Sequence, residues 1–486
     1  MTSNRSKFLS CKLTDLSKQI EKFWTIEDVD ARQLLSVEET KCEEHFTQTT
    51  TRDESGRYIV RLPFRENHKT LGDSRVNALR RFHALERKFS RDPSLKAEYF
   101  SVMKEYIELK HMSVATGDLN NGYFLPHHAV IKEASATTKV RVVFDASAKT
   151  TTGKSLNDIL MTGPTIQDKL FEHLIRFRVH KYVITADIEK MYRQIMIKPE
   201  DRIFQRLFWR VNDQIQVFEL NTVTFGVSSA PFLGIRTIQQ LADDEGARFP
   251  IAEKILKRDL YVDDLLTGAD SLEEILTIRN EVIGILNCGG FNIRKWASNH
   301  EHALDRLNKE AVNLDLFHND SSVLKPLGVV WNARSDKLLY AVNPAYGSDK
   351  ITKRYILSEI AKIFDPLGLL SPVVLHAKGI MQEIWKSKIS WDESVPSNLH
   401  FSWNAFASQL KLLNTLSIDR HLIINEPEDI QIHGFCDASK IGYGACLYLR
   451  SRNHNQNTIV RLICAKSRVT PIKEITIPRA RTPVEP

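Results

Sequence analysis

Arg258-Asp-Leu-Tyr-Val-Asp-Asp-Leu-Leu-Thr-Gly268 sets two adjacent aspartates, Asp263 and Asp264, between two short apolar runs. Arg258–Val262 and Leu265–Thr267 have strand character, and the Asp-Asp pair between them reads as the two-residue tip of a hairpin. Taken alone, such a pair is usually just a polar turn. Like charges so close repel and each carboxylate prefers water, so a cation between them would relieve the conflict. A hairpin tip leaves the oxygens open to a hard, oxygen-seeking ion such as Mg²⁺. A third carboxylate, Asp187, follows the apolar run Tyr182–Thr185 and precedes Ile188-Glu-Lys-Met-Tyr192. If that run lies beside the hairpin, the three acids converge and can hold two ions ~3.5–4 Å apart.

Outward from this centre, Ser271-Leu-Glu-Glu274 is a capping box opening a helix with Leu272, Ile275, Leu276, Val282, Ile283 and Leu286 apolar. Gly289-Gly290 stops it and Phe291–Trp296 resumes as a strand. Upstream, His128–Ile131 and Val140–Phe144 are short β-type runs. Strands and helices around one acidic centre predict an α+β palm. Two helices are expected at Arg75–Phe89 and Leu95–Met112, broken by Asp92-Pro93. Their Arg75, Arg80, Arg81, Arg87, Lys88 and Arg91 form either a solvated face or a surface for backbone phosphates. Residues 1–70 read as a lead-in, with a helical patch at Leu13–Trp24 and a strand at Tyr58–Leu62. Beyond Trp296, a strand is expected at Leu327–Trp331 and helices at Lys353–Phe364 and His376–Trp385. Strands follow at Ile432–Phe435, Ala445–Leu449 and Ile459–Ile463.

The 486 residues suit roughly two to four domains. Hydrophobic content of 42% and charged content of 26% describe an ordinary globular chain, and the net charge of +7 suits a polyanionic partner. No apolar run reaches the ~18 residues needed to span a bilayer, and the start has no signal-peptide core. No membrane partner and an intracellular, cytoplasmic setting are therefore expected. The six cysteines form no Cys-x-x-Cys pair, which argues against a zinc ribbon and for free thiols. Gly153-Lys-Ser155 lacks the earlier glycine of a phosphate loop, since position 148 is Ala148. His300-Glu-His302 reads as a solvated turn. No Asp-Thr-Gly or Asp-Ser-Gly protease motif, His-Glu-x-x-His, or His-His-Cys-Cys integrase motif is present.

Several stretches in fixed order resemble reverse transcriptases, most closely the Pao/BEL group of retrotransposon polyproteins. They are Leu125-Pro-His-His-Ala-Val130, Lys139-Val-Arg-Val-Val-Phe-Asp-Ala-Ser147, Ser155-Leu-Asn-Asp158, Thr185-Ala-Asp-Ile-Glu-Lys-Met-Tyr-Arg-Gln-Ile195, Phe225-Gly-Val-Ser-Ser-Ala-Pro231 and Tyr261–Gly268. The resemblance extends over roughly residues 23–478. It implies a right-hand polymerase with fingers and palm at 71–335 and a thumb or connection region at 336–426. A partial RNase H-like α/β fragment would follow at 427–486. Asp187 and Asp263 would be the principal metal ligands, Asp264 the second hairpin carboxylate, and the Ile188 carbonyl a further ligand. Arg141, with Lys132 or Lys139, would meet the incoming triphosphate. Tyr192 would gate the sugar, Phe225 and Gly226 would line the nucleotide pocket, and Lys295 would be the palm lysine. Leu327–Trp331 would be the primer-grip strand. Phe225 stands where retroviral enzymes tend to carry glutamine. Each role has a plainer rival: Arg141 as a solvated strand residue, Tyr192 and Phe225 as packing, Lys295 as a surface lysine.

The implied function is RNA-directed DNA polymerisation from deoxynucleoside triphosphates on a primed RNA or DNA template, with two Mg²⁺ ions or Mn²⁺ in their place. The alternative is an inactive retroelement remnant that binds nucleic acid without copying it. Oligomeric state stays open. In Ile432-His-Gly-Phe-Cys-Asp437-Ala-Ser439, an aspartate ends a strand as in the opening of an RNase H fold. That fold then expects Pro-Arg-Leu-Glu-Leu. Ile477-Pro-Arg-Ala-Arg481 puts a cation where the glutamate belongs, and Pro483 and Pro486 oppose the helix. A lone Asp437 predicts no RNase H activity, an incomplete subdomain and exposed strand edges.

Overall fold

The computed structural model describes residues 35–131, 140–313, 323–343 and 350–472. Lys132, Lys139, the Leu13–Trp24 patch and the Ile477–Arg481 stretch lie outside the described residues. The chain is a mixed α/β protein.

A four-stranded antiparallel sheet carries the acidic motifs. Its order is Leu260–Tyr261, Asp264–Ala269, Tyr182–Ile188, Ile293–Ser298. Strand alternation explains why it is buried on both sides. Ile184, Ala186, Ile188 and Leu265 enter the main core, while Val183, Leu266 and Ala297 enter a second one with Leu174, Phe177 and Trp331. Each buried Val, Leu or Ile among them contributes about 1.5–3 kcal/mol by leaving water. Helix Leu272–Cys288 packs on the main-core face. Ser271 caps it, its Oγ accepting from Glu274 N at 3.2 Å, which is one half of the expected capping box, and Gly290 leaves it at φ +72°. Helix Leu170–Val179 supplies Leu174 and Phe177 to the opposite face.

The hairpin is shifted by one residue from expectation. Tyr261 pairs with Asp264, so the turn is Val262-Asp263 and Asp264 is the first residue of the returning strand. Val262 adopts φ +57°, unusual for a β-branched residue. Its N–H is held by Gln167 Oε1 at 3.1 Å, which compensates part of the strain.

The two early helices span Arg75–Arg91 and Pro93–Glu108. Asp92 Oδ1 accepts from Leu95 N at 3.0 Å and Pro93 opens the second helix, as the sequence implies. That helix stops before Met112. Lys110 turns left-handed (φ +57°), and Met112–Val114 becomes a strand paired with Gln214–Leu220. Helix Val37–Thr49 and strand Tyr58–Val60 place Cys42, Phe46, Tyr58 and Val60 in the main core. The described part of the lead-in is thus integral to that core.

Further along, Val323–Leu324, Val330–Asn332, Lys337–Leu339 and Ser417–Asp419 form a second four-stranded sheet. Leu327 is not in a strand: it sits at φ +49° in the turn Pro326–Gly328, because a proline and a glycine bracket it. Helices Lys353–Ala361, Ser371–Lys386 and Ser397–Gln409 share a core of Ile356, Ile380, Ile384 and Trp403. Three 12-residue strands, Pro427–Ala438, Gly442–Asn453 and Thr458–Val469, form an antiparallel meander. Helix Ser371–Lys386 packs against the last of them.

Two buried arginines tie these parts together. Arg178 donates to the carbonyls of Ile463 (2.6 Å), Asp419 and Arg420 (both 3.1 Å). Arg420, with no exposed surface, forks onto Asp336 at 2.6 and 2.7 Å and also donates to the carbonyls of Phe177, His180 and Lys181.

Candidate functional site: the aspartates of the central sheet

Strand register brings the distant acids together. Asp187 lies directly opposite Asp264, and Ile188 N donates to Asp263 O at 2.8 Å. Direct cross-strand partners share a face, so the side chains of Asp187 and Asp264 lie side by side. On the other flank, Arg294 faces Asp187, and the register slips between Arg294 and Ala297. Within that bulge Lys295 takes φ +56°, which aims its ammonium at Asp187 Oδ2, 3.1 Å away. An open cavity is lined by Asp187, Asp264, Lys295, Asn313, Lys325 and Pro326.

The electrostatics register the crowding. Burial, then Asp263 and Asp187, push the Asp264 carboxyl up to about 7, and Lys295 offsets only part of this. Asp263 is likewise raised, by burial first and Asp187 second, with Lys295 and Arg141 pulling the other way. Arg141 is exposed on strand Val140–Phe144, close enough to act on Asp263. Among the described residues, however, no group of three or more His, Cys, Asp or Glu is arranged to hold a metal ion. The backbone juxtaposes the three aspartates, but their side chains do not form a ready-made cluster. One oxygen of Asp187 is engaged by Lys295 instead.

Tyr192 follows Asp187 on the short helix Met191–Gln194. Its ring lies 4.8 Å from that of Phe225 and against Gly234, where an added Cβ would come within 2.5 Å of Tyr192 Cε1. Burial and then Asp263 raise its phenol to about 12. Tyr192 therefore packs and also borders the acids. Phe225 is 48% exposed, so it is not simple core filling. Gly226 sits at φ +101°, and a Cβ there would lie 1.9 Å from Phe144 O, so only glycine fits.

Three supporting residues had no role assigned from sequence. Gln167 holds the hairpin turn. Arg193 ties the Met191–Gln194 helix to Pro93–Glu108 through Glu105 (2.7 Å) and the Tyr106 ring (4.0 Å), and to His111 just beyond that helix (2.8 Å). Burial, then Arg193, lower His111 to about 4, leaving it a neutral acceptor. Asn157 lies in the quoted Ser155–Asp158 motif and bonds to the Gly226 turn. Each is a polar residue whose partner is remote in sequence, so periodicity carries no trace of it.

Other expectations resolve locally. Arg75 donates to Leu119 O and Asn120 Oδ1, Arg80 to Asn77, and Arg81 to Asp145 at 2.5 Å, so half of the six named cations serve the fold. His302 pairs with Asp305 in an exposed turn. Asp437 pairs in register with Gly444 near the end of the outer strand of the C-terminal meander, on a different sheet from Asp187.

Residues 352–482 match the family model of the Pao retrotransposon-like RNaseH-like domain. This match bears out the Pao/BEL retrotransposon resemblance. The match begins well before residue 427 and takes in the three helices between Lys353 and Gln409. Among solved structures, the chain is similar to the foamy viral protease-reverse transcriptase dRH in complex with double-stranded DNA. Identity is 13%, coverage is 99% of this chain and 72% of that one, and the TM-score is 0.46. A search of curated proteins finds no match. No helix among the described residues is long and apolar enough to cross a membrane.

Proposed function

We propose that the chain is the RNA-directed DNA polymerase of a Pao/BEL-type retrotransposon, with the Asp187 sheet as its palm, flanked by fingers and a thumb. The observation that carries this reading is the Asp187–Asp264 register with Asp263 bonded to Ile188, which joins two motifs far apart in the sequence. The raised carboxyls of Asp263 and Asp264 mark negative charge that Lys295 does not balance, on an all-oxygen donor set that suits Mg²⁺ or Mn²⁺. Asp187, Asp263, Asp264 and the Ile188 carbonyl would hold the ions. When bound, two such ions lower the pKa of a primer 3′-hydroxyl and stabilise charge on the departing pyrophosphate.

The chain's own residues do the rest. Lys295 beside Asp187 and Arg141 beside Asp263 would orient the triphosphate, and electrostatic preorganisation of this kind is usually a large catalytic term. Lys132 and Lys139 are expected to assist. Tyr192 and Phe225 would form the wall against the sugar, with Gly226 letting that wall approach the strand. The alternative of a non-copying remnant is not favoured, because the acids are retained together with their supporting residues. Primer extension on an RNA template with Mg²⁺ tests the reading. Template-bound, folded protein that adds no nucleotide would overturn it.

A further inference from the structure

We infer that Asn157 is a positioning residue that sets the sugar-side wall of the nucleotide site. It acts through the Phe225–Ser228 turn and without touching substrate. The inference rests on the polymerase reading for its consequence but on independent geometry for its cause.

Asn157 lies on the one-turn helix Leu156–Ile159. That turn is fixed by a reciprocal cap: Ser155 N donates to Asp158 Oδ2 at 2.7 Å and Asp158 N to Ser155 Oγ at 3.3 Å. Its backbone N–H donates to Ala146 O at 3.1 Å, anchoring the residue to the end of strand Val140–Phe144. From there the carboxamide spans a gap in the chain of about seventy residues. Nδ2 donates to Gly226 O and to Ser147 Oγ, both at 2.9 Å, while Oδ1 accepts from Ser228 N at 2.8 Å. One amide therefore grips both sides of the peptide that carries Val227.

Val227 itself is buried in the main core and its carbonyl accepts from Ala230 N at 3.1 Å, so what Asn157 adds is a hold on the peptides to either side of it. The turn's own backbone bond, Val227 N to Thr224 O, is long at 3.4 Å. Gly226 supplies the close approach to Phe144 but, as glycine, supplies no rigidity. Phe225, immediately before it, stands half out of the protein with its ring 4.8 Å from Tyr192. Tyr192 is buried and has little room behind it, since even a Cβ at Gly234 would come within 2.5 Å of its ring. The variable member of the Tyr192–Phe225 pair is thus Phe225, and Asn157 is what fixes the peptide beside it. Loosening that peptide would widen the space a 2′-hydroxyl would otherwise contest.

The test compares wild type, Asn157→Ala and Asn157→Asp in single-nucleotide primer extension with deoxy- and ribonucleoside triphosphates. Asn157→Ala is expected to raise KM for the deoxynucleotide about tenfold, with kcat within about threefold, and to lower discrimination against the ribonucleotide about tenfold. Asn157→Asp keeps the acceptor for Ser228 N and loses both donations, so it should fall between the two. Equal losses for both sugars, with KM unchanged, would overturn the inference, since a merely structural role lowers the active fraction alike for every substrate. Hydrogen exchange of the segment 224–229 gives a second readout that needs no activity. Faster exchange there in Asn157→Ala, with the rest of the chain unchanged, supports the bracing, and unchanged exchange overturns it. A wild-type protein that extends no primer removes the polymerase reading instead, and the exchange result still decides the bracing.

Discussion

Asp187 and Asp437 each stand near the end of a β-strand, yet their settings share little beyond that. Asp187 closes an inner strand with partners on both flanks, and Val183, Ile184, Ala186 and Ile188 are buried beneath it. Asp437 ends the outer strand Pro427–Ala438, of which only Ala438 is buried; Ile432 is 66% and Phe435 59% exposed. A carboxylate in water is ordinary. Half-buried carboxylates on adjacent strands raise one another's pKa, a conflict that a cation relieves. The two regions differ in scaffold burial before they differ in acidic residues.

The largest expected contrast follows directly. Asp187→Asn or Asp263→Asn should lower primer extension at least about a thousandfold, or ~4 kcal/mol, while leaving template affinity within a few-fold. Asp437→Asn should leave extension within about twofold. Steady-state extension and template binding, measured on the same preparations, make the comparison. Comparable losses from Asp437 and Asp187 would erase the distinction drawn between the two sheets.

The regions are nonetheless joined, and the join can be cut. Arg420 lies within the family-matched segment, and its guanidinium reaches Asp336 and the carbonyls at the end of helix Leu170–Val179. Asp336 also accepts from Trp331 Nε1 at 3.0 Å and Asn299 Nδ2 at 3.1 Å. Arg420→Met would leave a carboxylate and several carbonyls without their donor, costing about 3 kcal/mol. Thermal unfolding should shift as one transition, lower by several degrees, because the fork touches both sides. Two separate transitions, with only the C-terminal one moved, would show that the regions fold independently.

Much of this arrangement can be read from residues alone, and the failures have physical causes. The hairpin, the Ser271 cap, the Asp92-Pro93 break and the Asp187 strand rest on local rules, and the structure has all four. The turn register differs from the sequence expectation: Asp-Asp looks like the better turn, whereas Gln167, remote in sequence, holds Val262 in a left-handed conformation. Continuing periodicity predicts helix as far as Met112, but its pairing with Leu220 is a tertiary contact that overrides propensity. The family motifs pointed to Tyr192 and Phe225 as individuals. That their rings meet, and that Asn157 holds the turn beside them, are tertiary contacts between segments remote in sequence, which periodicity does not encode.

The smallest expected effect is on stability, and it isolates the crowding itself. Burial and like charge hold the Asp264 carboxyl at about 7, against an ordinary 3.8. Between those values the folded chain keeps a proton that the unfolded chain has released. The unfolded state then binds fewer protons, so stability falls as pH rises from about 4 to about 7 and levels off above. Asp264→Asn removes this slope. Without divalent cations, the variant should be more stable than wild type at pH 8, on the order of 2 kcal/mol or about 2 °C for a chain of this size, and equal to it near pH 4. Added Mg²⁺ should narrow the gap by stabilising wild type more than the variant, because binding to the native state alone favours it. Parallel pH profiles for the two proteins would mean that Asp264 is relaxed into solvent, and the electrostatic contrast between the central sheet and the C-terminal meander would lose its basis.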